Sequence, residues 1–215
     1  MLKKVIIIMC LLALVWAGGA YADDKGEKMP GGKFSTGEYS RTGYQNAWMG
    51  LSFSPQNEYV SKTLGDNQLA FYKYDAGSVK RLESQDFAKV WAFSYILKGF
   101  DGTLQLYVLN LTKEQTNLGI VKDRDDYLEK LTAYLKEDKK VLNPKFSEVY
   151  DALLGGRDFK AFDVAFLDSD MQKRYYVQQI DGFLVVVEMT AAVNAERNVK
   201  LLEEYVACFT KYNGE

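Results

Sequence analysis

Two neighbouring segments with alternating apolar residues constrain the fold of this chain more than any other feature. In Lys89 to Lys98 (KVWAFSYILK) every second residue from Trp91 onward is large and apolar, and Thr103 to Leu111 (TLQLYVLNL) begins with the same pattern. A period of two residues is that of a β-strand with one buried face. Gly99 to Gly102 (GFDG) separates the two segments with turn-forming residues. The sequence therefore predicts an antiparallel β-hairpin.

The spacing of apolar residues becomes helical after this hairpin. Asp123 to Asp138 carries an apolar stripe and has acidic residues at its start, which together favour an α-helix. Asn194 is a suitable N-cap for a second helix near the C-terminus. Further strands are predicted at Ala47–Phe53, Phe146–Leu153, Phe159–Phe166, Arg174–Ile180 and Phe183–Met189. This order of elements predicts an α+β fold with a mostly antiparallel β-sheet flanked by α-helices.

The first 22 residues are typical of a cleavable secretory signal peptide. Lys3 and Lys4 precede an apolar run of 13 residues, and Ala20-Tyr21-Ala22 matches the small-residue cleavage pattern. A membrane span needs about 20 apolar residues, so we expect no transmembrane segment after cleavage. The predicted location is secreted, either extracellular or periplasmic.

The rest of the chain is predicted to contain a leader and one domain. Residues 23–38 are polar and glycine-rich, which is typical of a flexible polar leader. Residues 39–215 contain no second linker and no internal repeat, so a single α/β domain is expected. Residues 56–75 follow neither the helical nor the strand period.

Composition excludes several classes of function. The chain has no histidine, so Ser-His-Asp and Cys-His catalysis and His-ligated zinc are excluded. Removing 22 of the 215 residues leaves 193, with Cys208 as the one cysteine, so no intramolecular disulfide forms. Lys3 and Lys4 leave with the signal peptide, so the 27 basic residues become 25 against 29 acidic ones, a net charge of −4. We therefore expect no nucleic-acid partner, and no cofactor motif is present.

Three passages resemble a known group of proteins. They are Tyr44 to Phe53 (YQNAWMGLSF), the hairpin before a Tyr- and Leu-containing helix, and Gly155 to Ala161 (GGRDFKA) with the strands that follow it. Together they resemble small secreted or lipid-anchored bacterial proteins of the PsbP-like group, over roughly Tyr44 to Tyr212. This resemblance implies an α/β/α sandwich and a role in binding or assembly. It supplies no active site, and residues 54–59 (SPQNEY) depart from the Pro-Glu-Gly-Trp ending that is usual for the first strand.

Carboxylates are the remaining candidates for catalysis or metal binding. Acidic residues cluster at 123–126 and again at Asp163, Asp168 and Asp170. A glycosidase needs two carboxyl groups about 5–10 Å apart, whereas acids at 123–126 also suit a helix N-terminus. Asp168 and Asp170 are weak candidates for Ca²⁺ ligands, because two oxygen donors lie in a predicted turn. Ordinary turn chemistry explains the same residues, so no metal is expected.

Aromatic residues give the best candidate for a binding surface. The N-terminal third contains Tyr44, Trp48, Tyr59, Tyr72 and Tyr74, and exposed rings stack on sugars or fill pockets of a partner. Core packing is the competing interpretation, because strands favour aromatic residues. We expect an exported, non-catalytic binding or accessory protein whose partner is a protein or glycan of the cell envelope. The alternative is a secreted carboxylate-dependent hydrolase acting on glycan or peptidoglycan.

Overall fold

The part of the chain that the structure describes forms two β-sheets and two α-helices of 15 and 13 residues. The structure, a computed structural model, describes residues 26–40, 43–55, 68–71, 81–82, 84–96, 101–138 and 142–214. The helices are α1 (Arg124–Asp138) and α2 (Ala195–Ala207). The strands are β1 (Glu38–Tyr39), β2 (Tyr44–Asn46), β3 (Leu51–Phe53), β4 (Gln68–Phe71), β5 (Lys89–Ile96), β6 (Gly102–Asn110), β7 (Pro144–Phe146), β8 (Tyr150–Leu154), β9 (Arg157–Phe166), β10 (Gln172–Ile180), β11 (Phe183–Ala191) and β12 (Phe209–Lys211).

The larger sheet has eight strands, and all of its pairs are antiparallel. Its order is β4-β5-β6-β11-β10-β9-β7, and β8 pairs with β9 beside β7. Strand β11 lies in the middle, where Val187 pairs with Leu106 on one side and with Tyr176 on the other. Its apolar sequence (FLVVVEM) suits burial on both faces. The predicted hairpin is confirmed as β5 and β6, with a register shift between Trp91 and Phe93.

A smaller sheet of four strands covers part of one face of the larger sheet. Its order is β1-β2-β3-β12, again antiparallel throughout. The ring of Phe53 in β3 stacks on Phe93 of β5, with 4.7 Å between the ring centroids. The C-terminal strand β12 pairs with β3, so both ends of the described chain lie in or beside this sheet.

The two faces of the larger sheet belong to separate hydrophobic clusters. One cluster joins alternate residues of β11, such as Val185 and Val187, with the smaller sheet and with Leu202 and Tyr205 of α2. The other joins Leu184 and Val186 with apolar residues of α1. The period of two along β11 therefore divides the core between the faces. Neither helix in the described ranges has both the length and the hydrophobicity to cross a bilayer.

Most of the predicted elements are confirmed, but the predicted strand Phe146–Leu153 is two strands, β7 and β8, with residues 147–149 outside both. The predicted helix at residues 123–138 is α1, and the helix capped by Asn194 is α2, where the Asn194 side chain accepts a hydrogen bond from the Arg197 backbone N–H. The predicted strand Ala47–Phe53 is wrong in its first half, because residues 47–50 form the turn between β2 and β3. Gly50 has φ of 67° in this turn, a conformation that favours glycine. The strands β1 and β12 were not predicted.

The predicted flexible leader is a further difference. Residues 26–38 lie along the body of the protein, with hydrogen bonds from the Glu27 N–H to the Gly156 carbonyl (3.2 Å) and from the Gly31 N–H to the Trp48 carbonyl (3.0 Å). Phe34 packs among core aromatic rings. We call residues 26–37 the N-terminal strap. Phe34 is partly buried against the core although it lies in a polar segment, and composition alone does not indicate such a contact.

Arg157 fastens this strap to the two sheets. Its guanidinium is buried, with 5% of the side chain exposed, and forms an ion pair with Glu27 at 3.0 Å. It also donates to the carbonyls of Gly50 (3.1 Å) and Lys28 (3.2 Å). A Cβ on Gly50 would lie 2.5 Å from the guanidinium, so glycine is required for this close approach. The Gly-Gly-Arg motif at 155–157 therefore has a structural role: its arginine links the strap to the turn between β2 and β3.

Candidate functional site

Two residues of the predicted aromatic surface, Tyr44 and Trp48, lie in the core. Tyr44 and Trp48 are 3% and 2% exposed, and both belong to the core cluster under the smaller sheet. The Tyr44 ring packs on Phe93 at 5.0 Å, and its hydroxyl donates to the Thr36 carbonyl. Tyr59, Tyr72 and Tyr74 lie outside the described residues. Burial of apolar area stabilises these aromatic side chains in the core more than exposure would, so the competing interpretation is correct for Tyr44 and Trp48.

The predicted acidic clusters are explained by structural roles. The Asp123 side chain accepts from the Asp126 N–H at 2.9 Å, which caps the start of α1. The other cluster does not converge, because Asp163 is held inside by Arg174 at 2.7 Å while Asp168 and Asp170 are exposed after β9. No group of three or more potential metal ligands lies together in the described part of the chain.

A polar cleft at one end of the larger sheet is the better candidate site. Its volume is about 540 Å³, and it opens to solvent where β6 ends and β11 begins. Four segments line it: the strap, the loop before β5, the turn after β6 and the β10–β11 turn. Their lining residues are Gly32, Ser84, Gln85, Asp86, Asn110, Thr112, Lys113, Asp181, Gly182 and Phe183.

Asn110 is a buried residue of the cleft lining, and its side chain forms hydrogen bonds with two of the lining segments. This residue is 2% exposed, and its side-chain amide donates to the Gln85 carbonyl at 2.8 Å. Its amide oxygen accepts from both the N–H (3.0 Å) and the hydroxyl (2.7 Å) of Thr112. One side chain therefore holds two of the four lining segments in place. Asn110, Leu111 and Thr112 also form an Asn-x-Thr sequon for N-glycosylation, and the same contacts hold the buried side chain of its acceptor residue, Asn110.

Lys113 and Asp86, which both line the cleft, form an ion pair. The Lys113 ammonium lies 2.7 Å from the Asp86 carboxylate, and both side chains are largely exposed. The hydrogen bond and charge of Lys113 hold the pKa of Asp86 below its usual value. Asp86 therefore stays ionised at neutral pH, which is the opposite of what a general acid needs.

Two lining residues have backbone conformations that are unusual for side chains with a Cβ. Asp181 has φ of 51° at the β10–β11 turn, where an aspartate before glycine is common. Gln85 has φ of 57°, and its carbonyl is held by Asn110. A non-glycine residue at positive φ is uncommon, and strained residues of this kind concentrate at functional sites.

Phe183 forms the apolar part of the lining. It is 7% exposed, and its ring stacks on Phe34 of the strap, with 5.1 Å between centroids. Phe87 also packs against Phe183, with 5.9 Å between centroids, and against Phe34 at 5.2 Å, so the three rings form one cluster. The cleft thus combines amide, hydroxyl and carboxylate groups with one aromatic ring, which is the usual mixture in sites for polar small molecules.

A second polar cluster lies on the face of the larger sheet that packs against α1. Lys89 lies 3.8 Å and 3.6 Å from the ring centroids of Trp91 and Tyr107, and Glu188 forms an ion pair with Lys173. Although residue Lys89 is exposed overall, burial of its amino group against these rings lowers its pKa to about 8. Glu188 also accepts from the Tyr175 hydroxyl at 3.4 Å. These contacts link neighbouring strands. The cluster they form has one carboxylate, Glu188, whereas a glycosidase needs two.

Sequence reasoning missed the cleft because its residues come from four distant segments. Asp181-Gly182 and Asn110-Leu111-Thr112 were visible in the sequence, one as a turn and one as a sequon. Nothing local indicates that the two lie together. Their proximity follows from strand pairing, because Asn110 ends β6 directly opposite Phe183.

Comparison with solved structures gives a likeness in fold. The chain is similar to the solution structure of cyanobacterial PsbP (CyanoP) from Synechocystis sp. PCC 6803, at 13% identity and a TM-score of 0.46. The match covers 80% of this chain and 92% of that one. No family model matches, and no curated protein matches. A likeness at this identity and TM-score carries no information about activity or partners.

Proposed function

We propose that this chain is an exported, non-catalytic binding protein of the cell envelope that holds a saccharide or similar polyol in the polar cleft. The observation that carries the proposal is the lining itself, in which polar residues and Phe183, from four segments of the chain, line one cleft. Sugars present hydroxyl groups at their rims and apolar C–H groups on their faces. Such ligands are bound by amides, carboxylates and an aromatic ring together.

Three further elements of the proposal concern fold and location. We place α1 and α2 as the outer layers of an α/β/α sandwich, since their apolar residues belong to different core clusters. Residues 1–22 direct export, and the mature chain begins near Asp23. The final location is extracellular or periplasmic, where cell-envelope glycans are the accessible polyols.

The non-catalytic part of the proposal rests on the acids. Among the described residues, the carboxyl groups with perturbed pKa values are those of Glu27, Asp86 and Asp126, and each pKa is lowered. A general acid acting on a glycosidic bond needs a raised pKa. A binding role fits these acids better than the hydrolase role that the composition left open.

The test is a thermal-shift screen of the exported chain against soluble cell-wall fragments and a glycan panel. A ligand that binds only the native state raises Tm by an amount that grows with its concentration above Kd. The cleft variant carries Asp86→Asn and Asp181→Asn, and Asp168→Asn at the exposed turn after β9 is the matched control. We expect one saccharide class to raise Tm in the parent and the control and to lose its effect in the cleft variant. An equal shift in all three proteins would contradict the cleft as the site.

A further inference from the structure

The strap places an aromatic ring in a pocket that is continuous with the cleft. Phe34 lies 5.1 Å from Trp48, 5.2 Å from Phe87 and 5.1 Å from Phe183, measured between ring centroids. Phe183 lines the cleft, and so does Gly32, two residues before Phe34. The aromatic pocket and the polar cleft therefore share a wall, and one residue of the strap closes the boundary between them.

The attachment of the strap weakens around Phe34. The Gly31 N–H bonds to Trp48, and the Ser35 carbonyl accepts from the Asn46 side chain at 2.9 Å. Between these two anchors, in the described part of the chain, residues 32–34 have no recorded hydrogen bond. Gly31 and Gly32 have φ of 67° and 90°. A glycine pair next to a short unbonded segment is the usual form of a hinge.

Trp48 supplies a second, independent observation. Its indole N–H is buried, and no acceptor for it lies among the described residues. Buried donors are almost always paired, so an unpaired one needs an explanation. Phe34 packs edge-on against this indole, at an interplanar angle of 70°, and a phenyl ring offers only a weak acceptor. A ligand with an oxygen atom next to an apolar group would satisfy this donor.

From this arrangement we infer that Phe34 is a displaceable occupant of a ligand pocket. The ligand is an amphiphile: an aromatic or other flat apolar group takes the place of the Phe34 ring, and a polyol head lies in the cleft. Only the polyol head of this ligand rests on the proposed function. The displacement of Phe34 does not depend on it. The strap opens between Gly31 and Ser35, while Arg157 keeps its N-terminal end in place.

Trp48 fluorescence tests this inference without a known ligand. The chain has three tryptophans, Trp16, Trp48 and Trp91, so replacing Trp16 and Trp91 by phenylalanine leaves Trp48 as the sole emitter. In this full-length background, Phe34→Ala removes the occupant and Leu167→Ala is the control for loss of an exposed apolar side chain. Far-UV circular dichroism confirms that each variant is folded. We expect Phe34→Ala to raise acrylamide quenching of Trp48 several-fold, and the control to leave it unchanged.

The ligand half is tested with phenyl β-glucoside, methyl β-glucoside and benzyl alcohol as probes. Phenyl β-glucoside and benzyl alcohol should change Trp48 emission in the parent. Both should bind about tenfold more tightly to Phe34→Ala, the factor expected when a half-buried ring no longer competes. Methyl β-glucoside lacks the apolar group, so its affinity should not depend on Phe34.

The outcomes separate this inference from the proposed function. A response to benzyl alcohol with no response to any glycoside would support the displaceable ring and contradict the saccharide head. Equal affinity of the aromatic probes for the parent and Phe34→Ala would overturn the inference, as would unchanged quenching of Trp48 in Phe34→Ala. Phe34→Leu keeps an apolar side chain and should give intermediate values. This variant serves as the test if Phe34→Ala does not fold.

Discussion

Replacing Arg157 by alanine should destabilise the protein strongly, although the residue does not line the cleft. The buried guanidinium donates to the carbonyls of Gly50 and Lys28, and hydrogen bonds from a charged donor contribute about 1.5–3 kcal/mol each. The substitution removes both bonds, and the Gly50 carbonyl then keeps the hydrogen bond from the Tyr212 N–H at 3.0 Å. We therefore expect Arg157→Ala to lower the free energy of unfolding by about 3 kcal/mol.

Urea denaturation followed by circular dichroism measures this loss. The midpoint should fall while the slope of the unfolding free energy against urea stays the same, because the folded core is unchanged. Glu27→Gln is the control, since Glu27 is 59% exposed and its ion pair with Arg157 is open to solvent on that side. It should cost much less than Arg157→Ala. Trypsin should also cleave after Lys28 and Lys33 faster in Arg157→Ala, because the strap loses its fastening.

Two results would refute this reasoning. A loss below about 1 kcal/mol in Arg157→Ala would mean that the buried hydrogen bonds add little to stability. Equal losses in Arg157→Ala and Glu27→Gln would assign the effect to the exposed ion pair instead. Arg157→Lys keeps the charge but not the planar set of donors, so its loss should lie between those of the two other variants.

Three further predictions follow from single contacts. Hydrogen bonds from the Lys122 N–H and the Lys130 ammonium lower the pKa of Asp126 below 3.8 in the folded state, so the stability that they give is present above that value and is lost as pH falls through the folded pKa. Asp126→Asn should therefore destabilise the protein at pH 7 and have no effect near pH 2 in urea titrations; an equal effect at both would contradict the assignment. Cys208 is 8% exposed, so a thiol reagent should label it slowly in the native protein and rapidly in urea, and rapid native labelling would contradict its burial. Folded protein secreted by a eukaryotic host should carry no glycan on Asn110, as checked by mass spectrometry, because that side chain is bonded to Gln85 and Thr112.

Sequence periodicity predicted those parts of the fold in which one face of an element is buried. The β5–β6 hairpin, α1, α2 and the strands β9 to β11 all have a clear period of two or of 3.6 residues. Short elements lack the length to show a period. Strands β1 and β12 have two and three residues, and pairing with β2 and β3 defines them.

The candidate site could not be predicted for a different reason. Whether Trp48 faces solvent depends on Phe34 and Phe183, which lie 14 residues before it and 135 residues after it in the sequence. Neither contact leaves a local signal. The polar composition of the strap predicted flexibility, because one phenylalanine among glycines and lysines changes the composition little. The contacts of Phe34 with Trp48 and Phe183 nevertheless attach the strap to the core.

The acidic residues show where local rules succeed. Asp123 and Asp126 lie at a helix start, and the expected capping bond is present. Asp163 was grouped with Asp168 and Asp170 by sequence distance alone. Strand pairing places Asp163 opposite Arg174, however, and away from the turn that carries the two others. Acidic residues that are close in sequence therefore lie together in this fold where a single element holds them, as at the start of α1.

The central claim is that the cleft binds a saccharide, and chemical-shift mapping by NMR tests it most directly. Isotopically labelled chain would be titrated with the saccharides that raise Tm, or with the whole panel if none does. The account predicts perturbed backbone signals at 84–86, 110–113 and 181–183, and unperturbed signals at the distant turn 167–170. No perturbation with any saccharide, or perturbation confined to residues outside the cleft, would contradict it.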